Sequence, residues 1–354
     1  MYAAEVDLEV NTGATYDTNV SRSVTAPRRD TYFTIAPRLA LKLPFDKVYF
    51  SSDVRAAAEQ HVRYANANLQ ELVFSGLGRY NTSDYISFGL QDELIISGRL
   101  ESAEKLTDVT RWREFVDNSF LSALKCELKG GILVTSLEYD NTIRDYRRTE
   151  KDDWMAHTGR LRIEYFFGHR TSVQVESGLL RKFYKVDVNY VSIPLITSLK
   201  RKLSSKLDGS FALGTEARRY NEPYQYLNWD KLTTSLEIKG EFTPKTSSTL
   251  LLQRKVYDSD LVTGHSFVST AADVAVAFNL NYNIQLVLQG LYSKNSYIWV
   301  ERTDNVFGGR GTIEYRLSRW GAVVLGYGHE RRTSDVLTRD YKQHTVDLYY
   351  VALF

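Results

Sequence analysis

Residues 232–242 read Leu-Thr-Thr-Ser-Leu-Glu-Ile-Lys-Gly-Glu-Phe, with Leu232, Leu236, Ile238 and Phe242 at even positions and Thr233, Ser235, Glu237, Lys239 and Glu241 at odd ones. In a strand, successive side chains point to opposite faces, so this segment has one apolar and one polar face; a helix would scatter the same residues around its circumference. The pattern repeats at 158–167, where Leu161, Ile163, Tyr165 and Phe167 alternate with Arg160, Arg162, Glu164 and Phe166. It returns at 306–317, where Phe307, Ile313, Tyr315 and Leu317 alternate with Arg310, Thr312, Glu314 and Arg316.

Extended along the chain, this reading predicts 18 strands, from 4–16 to 340–354. The connections alternate in length. Tight ones such as 45–47, 82–84, 168–170, 204–205 and 244–245 follow even strands, and longer polar ones follow odd strands, the longest at 17–30 and 98–115. Short turns at one end and long loops at the other are the layout of an outer-membrane barrel, and an even strand number returns both termini to the short-turn end. Many predicted strands run to 12 residues or more, longer than the five or six typical of soluble sandwiches. A propeller or solenoid would show a motif at a 40- to 50-residue period, and none repeats. The expectation is all-β: one domain over 1–354, a transmembrane antiparallel up-and-down barrel.

Composition agrees. Of 354 residues 13% are aromatic, with 24 Tyr, and only 6 are Pro, a set rich in strand formers. Lys and Arg total 45 against 43 Asp and Glu, without long runs, so the electrostatic footprint of a nucleic-acid binder is missing. Cys126 is the single cysteine, which excludes an intrachain disulfide and a cysteine-built zinc site. No 18 consecutive residues are apolar, so no helical membrane span is expected, which leaves a strand-built one open. The chain opens Met-Tyr-Ala-Ala-Glu without a basic and apolar leader. Either the protein is not exported or these residues are a mature form, and the outer-membrane expectation takes the second.

The last residues carry a resemblance. Val346, Leu348, Tyr350, Ala352 and Phe354 occupy every second position and end on an aromatic. This resembles the last-strand signal of Gram-negative outer-membrane proteins, which implies recognition by the barrel-assembly machinery and a setting of lipid bilayer and lipopolysaccharide. Residues 13–22, Gly-Ala-Thr-Tyr-Asp-Thr-Asn-Val-Ser-Arg, resemble the first-strand and loop motif of a β-barrel porin family that often accompanies exopolysaccharide export systems. That resemblance implies polysaccharide export and a periplasmic export protein as partner.

If the apolar face meets lipid, the polar face lines the lumen, and alternation assigns it about 20 carboxylates and about 14 cations. Candidate solute contacts are Arg160, Arg162 and Glu164; Arg218; Glu237 and Lys239; and Arg310, Glu314 and Arg316, since guanidinium and carboxylate groups bind hydroxyl and acidic groups. The alternative for each is a cross-strand pair that stiffens the wall. Inward aromatics such as Phe166 and Tyr349 are candidates for stacking on sugar rings. Glu138 and Asp140 share a face at about 6–7 Å, a spacing that fits a glycosidase pair and that alternation also produces by chance. His157, His265, His329 and His344 leave a Ser-His hydrolase open, but neither Gly-x-Ser-x-Gly nor His-Glu-x-x-His stands in the chain. Gly130–Gly131 and Gly308–Gly309 read as turn or bulge glycines. Asp92 interrupts the apolar row of Ile86, Phe88, Leu90, Leu94 and Ile96 and reads as a bulge or a partner-facing position. A passive channel without a cofactor or metal is expected: a polysaccharide conduit first, a diffusion porin for small hydrophilic solutes second, an outer-membrane hydrolase third.

Overall fold

The computed structural model describes residues 4–21, 27–64, 68–100, 112–128, 130–146, 153–186, 188–258, 266–336 and 339–354. Eighteen strands follow one another: β1 (Glu5–Asp17), β2 (Asp30–Pro44), β3 (Val48–His61), β4 (Leu69–Asn81), β5 (Ile86–Leu100), β6 (Trp112–Leu128), β7 (Leu133–Tyr146), β8 (Trp154–Phe166), β9 (Thr171–Tyr184), β10 (Tyr190–Ser204), β11 (Leu207–Tyr220), β12 (Trp229–Thr243), β13 (Thr246–Asp258), β14 (Ser266–Asn279), β15 (Ile284–Tyr297), β16 (Thr303–Ser318), β17 (Gly321–Ser334) and β18 (Tyr341–Leu353). Each pairs antiparallel with its sequence neighbours, and β1 pairs with β18, so the sheet closes on itself. Eighteen strands about 4.8 Å apart, tilted about 40°, give a backbone radius of about 18 Å, wide enough for a water-filled lumen.

The faces are inverted relative to a soluble protein. Val6, Phe33, Leu137, Leu195, Phe211, Leu232, Leu325 and Leu348 are exposed on the outside, while Thr15, Asp17, Asp30, Asp304 and Asp347 are buried within the wall or its mouth. Outward aromatics gather at two levels. Phe45, Tyr85, Phe167, Phe242, Tyr315 and Trp320 stand near the short turns; Tyr16, Phe33, Tyr139, Tyr292, Phe307 and Tyr327 stand near the other end. Phe307 and Tyr315 are eight residues apart on β16, which at about 3.4 Å per residue and about 40° of tilt is about 20 Å, close to the height of an outer-membrane apolar band. These are the interfacial girdles that hold a barrel at its depth.

Residues 13–22, read first as a family motif, sit largely at the closing seam. At Gly13 an added Cβ would lie 2.3 Å from Cδ1 of Tyr349 and 2.4 Å from the Leu348 carbonyl oxygen; glycine alone lets β18 come so close here. Thr15 Oγ1 donates to Asp347 Oδ1 at 3.0 Å and meets the Tyr349 hydroxyl at 2.7 Å. Beyond the strand end, the Thr18 amide donates to the His344 carbonyl, the His344 amide donates back to Thr18 Oγ1, and Asn19 Nδ2 donates to the Lys342 carbonyl. The Phe354 amide donates to the Leu8 carbonyl at the opposite end of the same seam. Residues 22–26 lie outside the described residues.

Four expectations need correction. Asp92 is not at a bulge: Gly76, Asp92 and Phe120 stand in uninterrupted register across β4, β5 and β6, because ladder hydrogen bonds use only backbone and do not sense the carboxylate. Gly308 and Gly309 lie within regular β16 opposite Glu330 and His329, whereas Gly130 and Gly131 do form a turn, with φ of 66° and 85°. The loop expected at 98–115 is shorter, since Gly98–Leu100 pair with Trp112–Glu114; charged sequence is compatible with a ladder wherever a strand runs on beyond the membrane. The rest of that segment, 101–111, lies outside the described residues. Alternation also predicts the twelfth strand over 226–243, but Gln225–Leu227 form a 3-10 turn and β12 begins at Trp229.

Candidate functional site: the lumen wall

Register fixes which side chains share the lumen. On β8 the inward row is Arg160, Arg162 and Glu164, opposite Glu138, Ser136 and Val134 on β7 and Gly178, Glu176 and Gln174 on β9. Arg162 lies between two acids, with Nη1 at 3.0 Å from Glu138 and Nε at 3.1 Å from Glu176. Arg160 reaches Glu138 at 3.6 Å and Asp140 at 3.9 Å. Glu138 and Asp140 therefore serve one guanidinium network, and their spacing is explained without acid–base chemistry. Glu164 accepts from Ser172 Oγ at 2.7 Å and from Lys200 Nζ at 3.1 Å.

The next candidates lie on β12 and β16. Lys239 pairs with Glu237 at 2.8 Å on β12, and both line a recess of about 380 Å³ together with Phe166, Lys200 and Asp208. Arg316 pairs with Glu314 at 2.9 Å. Arg310 crosses β17 above Gly326, where a Cβ would come within 3.0 Å of Asp347 Oδ2, and pairs with that oxygen at 2.8 Å. It also lines a second recess of about 370 Å³ with Asp273, Gln289, Glu330, Gln343 and Thr345. Glu164 thus meets the Glu237–Lys239 recess through Lys200, while Arg310 and the Glu314–Arg316 pair occupy other stretches of wall.

Alternation missed a denser cluster at the long-loop end. Arg218 is buried, donates to Asp258 and to Ser266 Oγ (2.8 Å), and pairs with Glu216 at 3.1 Å. Asp258 also accepts from Lys182 Nζ at 2.9 Å and the Tyr190 hydroxyl at 2.6 Å. The Arg218 guanidinium lies 4.0 Å from the Tyr190 ring centroid, and Lys182 Nζ lies 4.1 Å from that of Trp154. Val188 and Leu227, from the links after β9 and β11, pack on Tyr190, Tyr220 and Trp229. Asp258 shares even parity with the apolar Leu250 and Leu252, so strict alternation hides it. A second such knot joins Arg302 and Arg332 to the fully buried Asp304; the sequence places both arginines in loops.

Of the histidines, His157 meets the Tyr139 hydroxyl on the outer wall at 2.8 Å, and His329 stacks on His344 with centroids 4.5 Å apart. His265 lies outside the described residues. Among the described residues no group of three His, Cys, Asp or Glu is placed to hold a metal ion. Phe166 and Tyr349 do face inward.

A closed 18-stranded barrel with an apolar, aromatic-belted exterior and a charged interior defines an outer-membrane, porin-like channel. Comparison with known proteins agrees: the family model described as "Putative beta-barrel porin 2" matches residues 197–352, from the middle of β10 to β18. No curated protein sequence matches the chain. Among solved structures, Pseudomonas aeruginosa OccK2 (OpdF) is similar at a TM-score of 0.55 and 12% identity, covering 99% of this chain and 98% of that one. P. aeruginosa OpdK, crystallised with vanillate, is similar at a TM-score of 0.53 and 12% identity over 99% of both chains. At these identities the likeness is one of fold.

Proposed function

We propose that the barrel is a passive outer-membrane conduit for a secreted polysaccharide, working with a periplasmic export protein that delivers polymer to the short-turn end. The observation that carries this reading is the neutralised wall. Arg38, Arg55, Arg144, Arg160, Arg162, Lys200, Arg218, Lys239, Arg310 and Arg316 each have a carboxylate partner. Such a surface offers many hydrogen-bonding groups without a steep field of one sign, which suits a hydrated, hydroxyl-rich chain better than a small anion. Further support comes from the resemblance of residues 13–22 to a porin family that often accompanies exopolysaccharide export systems. In this orientation the long loops lie outside the cell.

Two measurements test the proposal. Deleting the gene should abolish surface polysaccharide, and the isolated barrel should stay largely closed in a planar bilayer without its partner. Polymer that persists after deletion, together with steady conduction by the isolated barrel, would favour a diffusion porin for small hydrophilic solutes. That second reading draws support from the fold shared with OccK2, which has also been crystallised with glucuronate. For orientation, protease added to intact cells should cut at Lys105 or Arg111; cutting in the 168–170 turn instead would invert the topology.

A further inference from the structure

We infer that the outer face of β15–β18, just beyond the aromatic girdle at the long-loop end, binds the phosphates of a lipopolysaccharide headgroup. The inference rests on the orientation proposed above, with long loops outside.

Arg331 on β17 and Lys342 on β18 are direct cross-strand partners, and both lie exposed. Their parity is that of Leu325, Tyr327, Val346 and Leu348, so they project outward, away from the lumen. Like charges directly opposite each other on an antiparallel pair repel, and the native wall normally interposes an acid. Here it does not. The outward residues of β15 to β18, all described, include no carboxylate, and neither cation has an ion-pair partner among the described residues. One row nearer the membrane, His329 and His344 form the next direct pair. Each uses Nδ1 within the wall, His344 on the Tyr327 hydroxyl at 2.8 Å and His329 on the Gln343 carbonyl at 3.2 Å, and Nε2 of both has no partner among the described residues. Lys294 on β15 adds a further exposed cation.

The inner face of the same strands makes the contrast. There Arg332 and Arg302 share Asp304, and Arg310 holds Asp347. On these strands the cations facing the lumen have acids beside them, whereas Arg331, Lys342 and Lys294 have none among the described residues. Their level identifies the anion they meet. Tyr292, Phe307 and Tyr327 stand immediately beneath, 45%, 59% and 52% exposed, as rings that meet acyl chains at the membrane boundary. Lys294 is two residues beyond Tyr292 and Arg331 four beyond Tyr327, about 5–10 Å further along the tilted strands, a level among headgroups where a phosphate accepts charge-assisted hydrogen bonds from guanidinium and ammonium groups. In an outer leaflet built of lipopolysaccharide, the phosphate belongs to lipid A.

The test uses the full chain, folded in uncharged detergent and incubated with bisphosphorylated lipid A or with the same lipid A after removal of its phosphates. Bound lipid is counted by native mass spectrometry. The wild-type barrel should retain the phosphorylated form at least about tenfold better than the other. The double variant Arg331→Gln/Lys342→Gln should lose that preference while keeping the heat-modifiable mobility of a folded barrel; if it does not fold, Lys294→Gln alone should reduce retention. Equal retention of both lipids, or an unchanged preference in the folded variants, overturns the inference. A preference for phosphatidylglycerol over lipid A also overturns it. Protease cutting of intact cells at the short turns would then trace the failure to orientation rather than to the patch.

Discussion

Gly13 shows how much one side-chain position decides. Closing the barrel requires β18 to lie against β1 with the Tyr349 ring over residue 13, and the Leu348 carbonyl oxygen occupies the space a Cβ would need. The obstruction includes backbone, so it cannot be relieved by turning a flexible side chain. Gly13→Val should therefore destabilise the folded barrel by about 1–3 kcal/mol or block closure outright. The readout is the lost shift between boiled and unboiled samples on electrophoresis. Gly159→Ala, at an outward position with nothing within 4 Å of the new Cβ, is the matched control and should fold normally. Arg310 makes a related case: its reach to Asp347 depends on Gly326, so Gly326→Leu should break that pair and lower the urea midpoint.

At the scale of a strand, alternation makes two faces with opposite tolerances. Leu236 faces lipid near mid-strand and Glu237 faces the lumen. Leu236→Arg should cost roughly 2–4 kcal/mol in vesicle unfolding experiments, and Glu237→Gln little, because only the first moves a charge into hydrocarbon; equal tolerance of both would refute the assignment of faces. Asp92 runs against the same rule. It is outward, in regular register and between Gly76 and Phe120, so Asp92→Leu should stabilise the barrel by about 1–2 kcal/mol in lipid. Destabilisation would point instead to a protein partner on that face. Such elements were readable because a period of two is written into every strand from Leu232–Phe242 outward. The mouth cluster was not readable, since Asp258 carries the parity of the lipid face and Arg302 and Arg332 sit in polar stretches that resemble loop. Pairing across several strands depends on register and side-chain reach, neither of which a single strand's pattern contains. The solute candidates were placed on the correct face but belong to separate networks, because alternation gives direction and not distance.

For the molecule as a whole, a wall of paired charges makes a particular electrical prediction. A barrel with a backbone radius of about 18 Å leaves ions many ångströms from most of its wall, where salt screens any field beyond about 10 Å at 0.1 M. Fixed cations matched by neighbouring acids contribute mainly short-range dipoles. Among the described inward residues, Glu93, Asp208, Glu241, Asp273 and Glu330 have no cation within ion-pair distance, and Arg79, Lys202 and Lys231 have no acid. These remainders nearly cancel, with a small acidic excess. When the barrel opens in a planar bilayer under a potassium chloride gradient, the reversal potential should correspond to a permeability ratio of about one to three in favour of potassium. Glu93→Lys combined with Asp273→Lys should move it past unity toward chloride while leaving the fold intact, since neither residue holds a strand pair together. A wild-type ratio of ten or more for either ion would mean that a charged constriction, rather than the paired wall, governs passage.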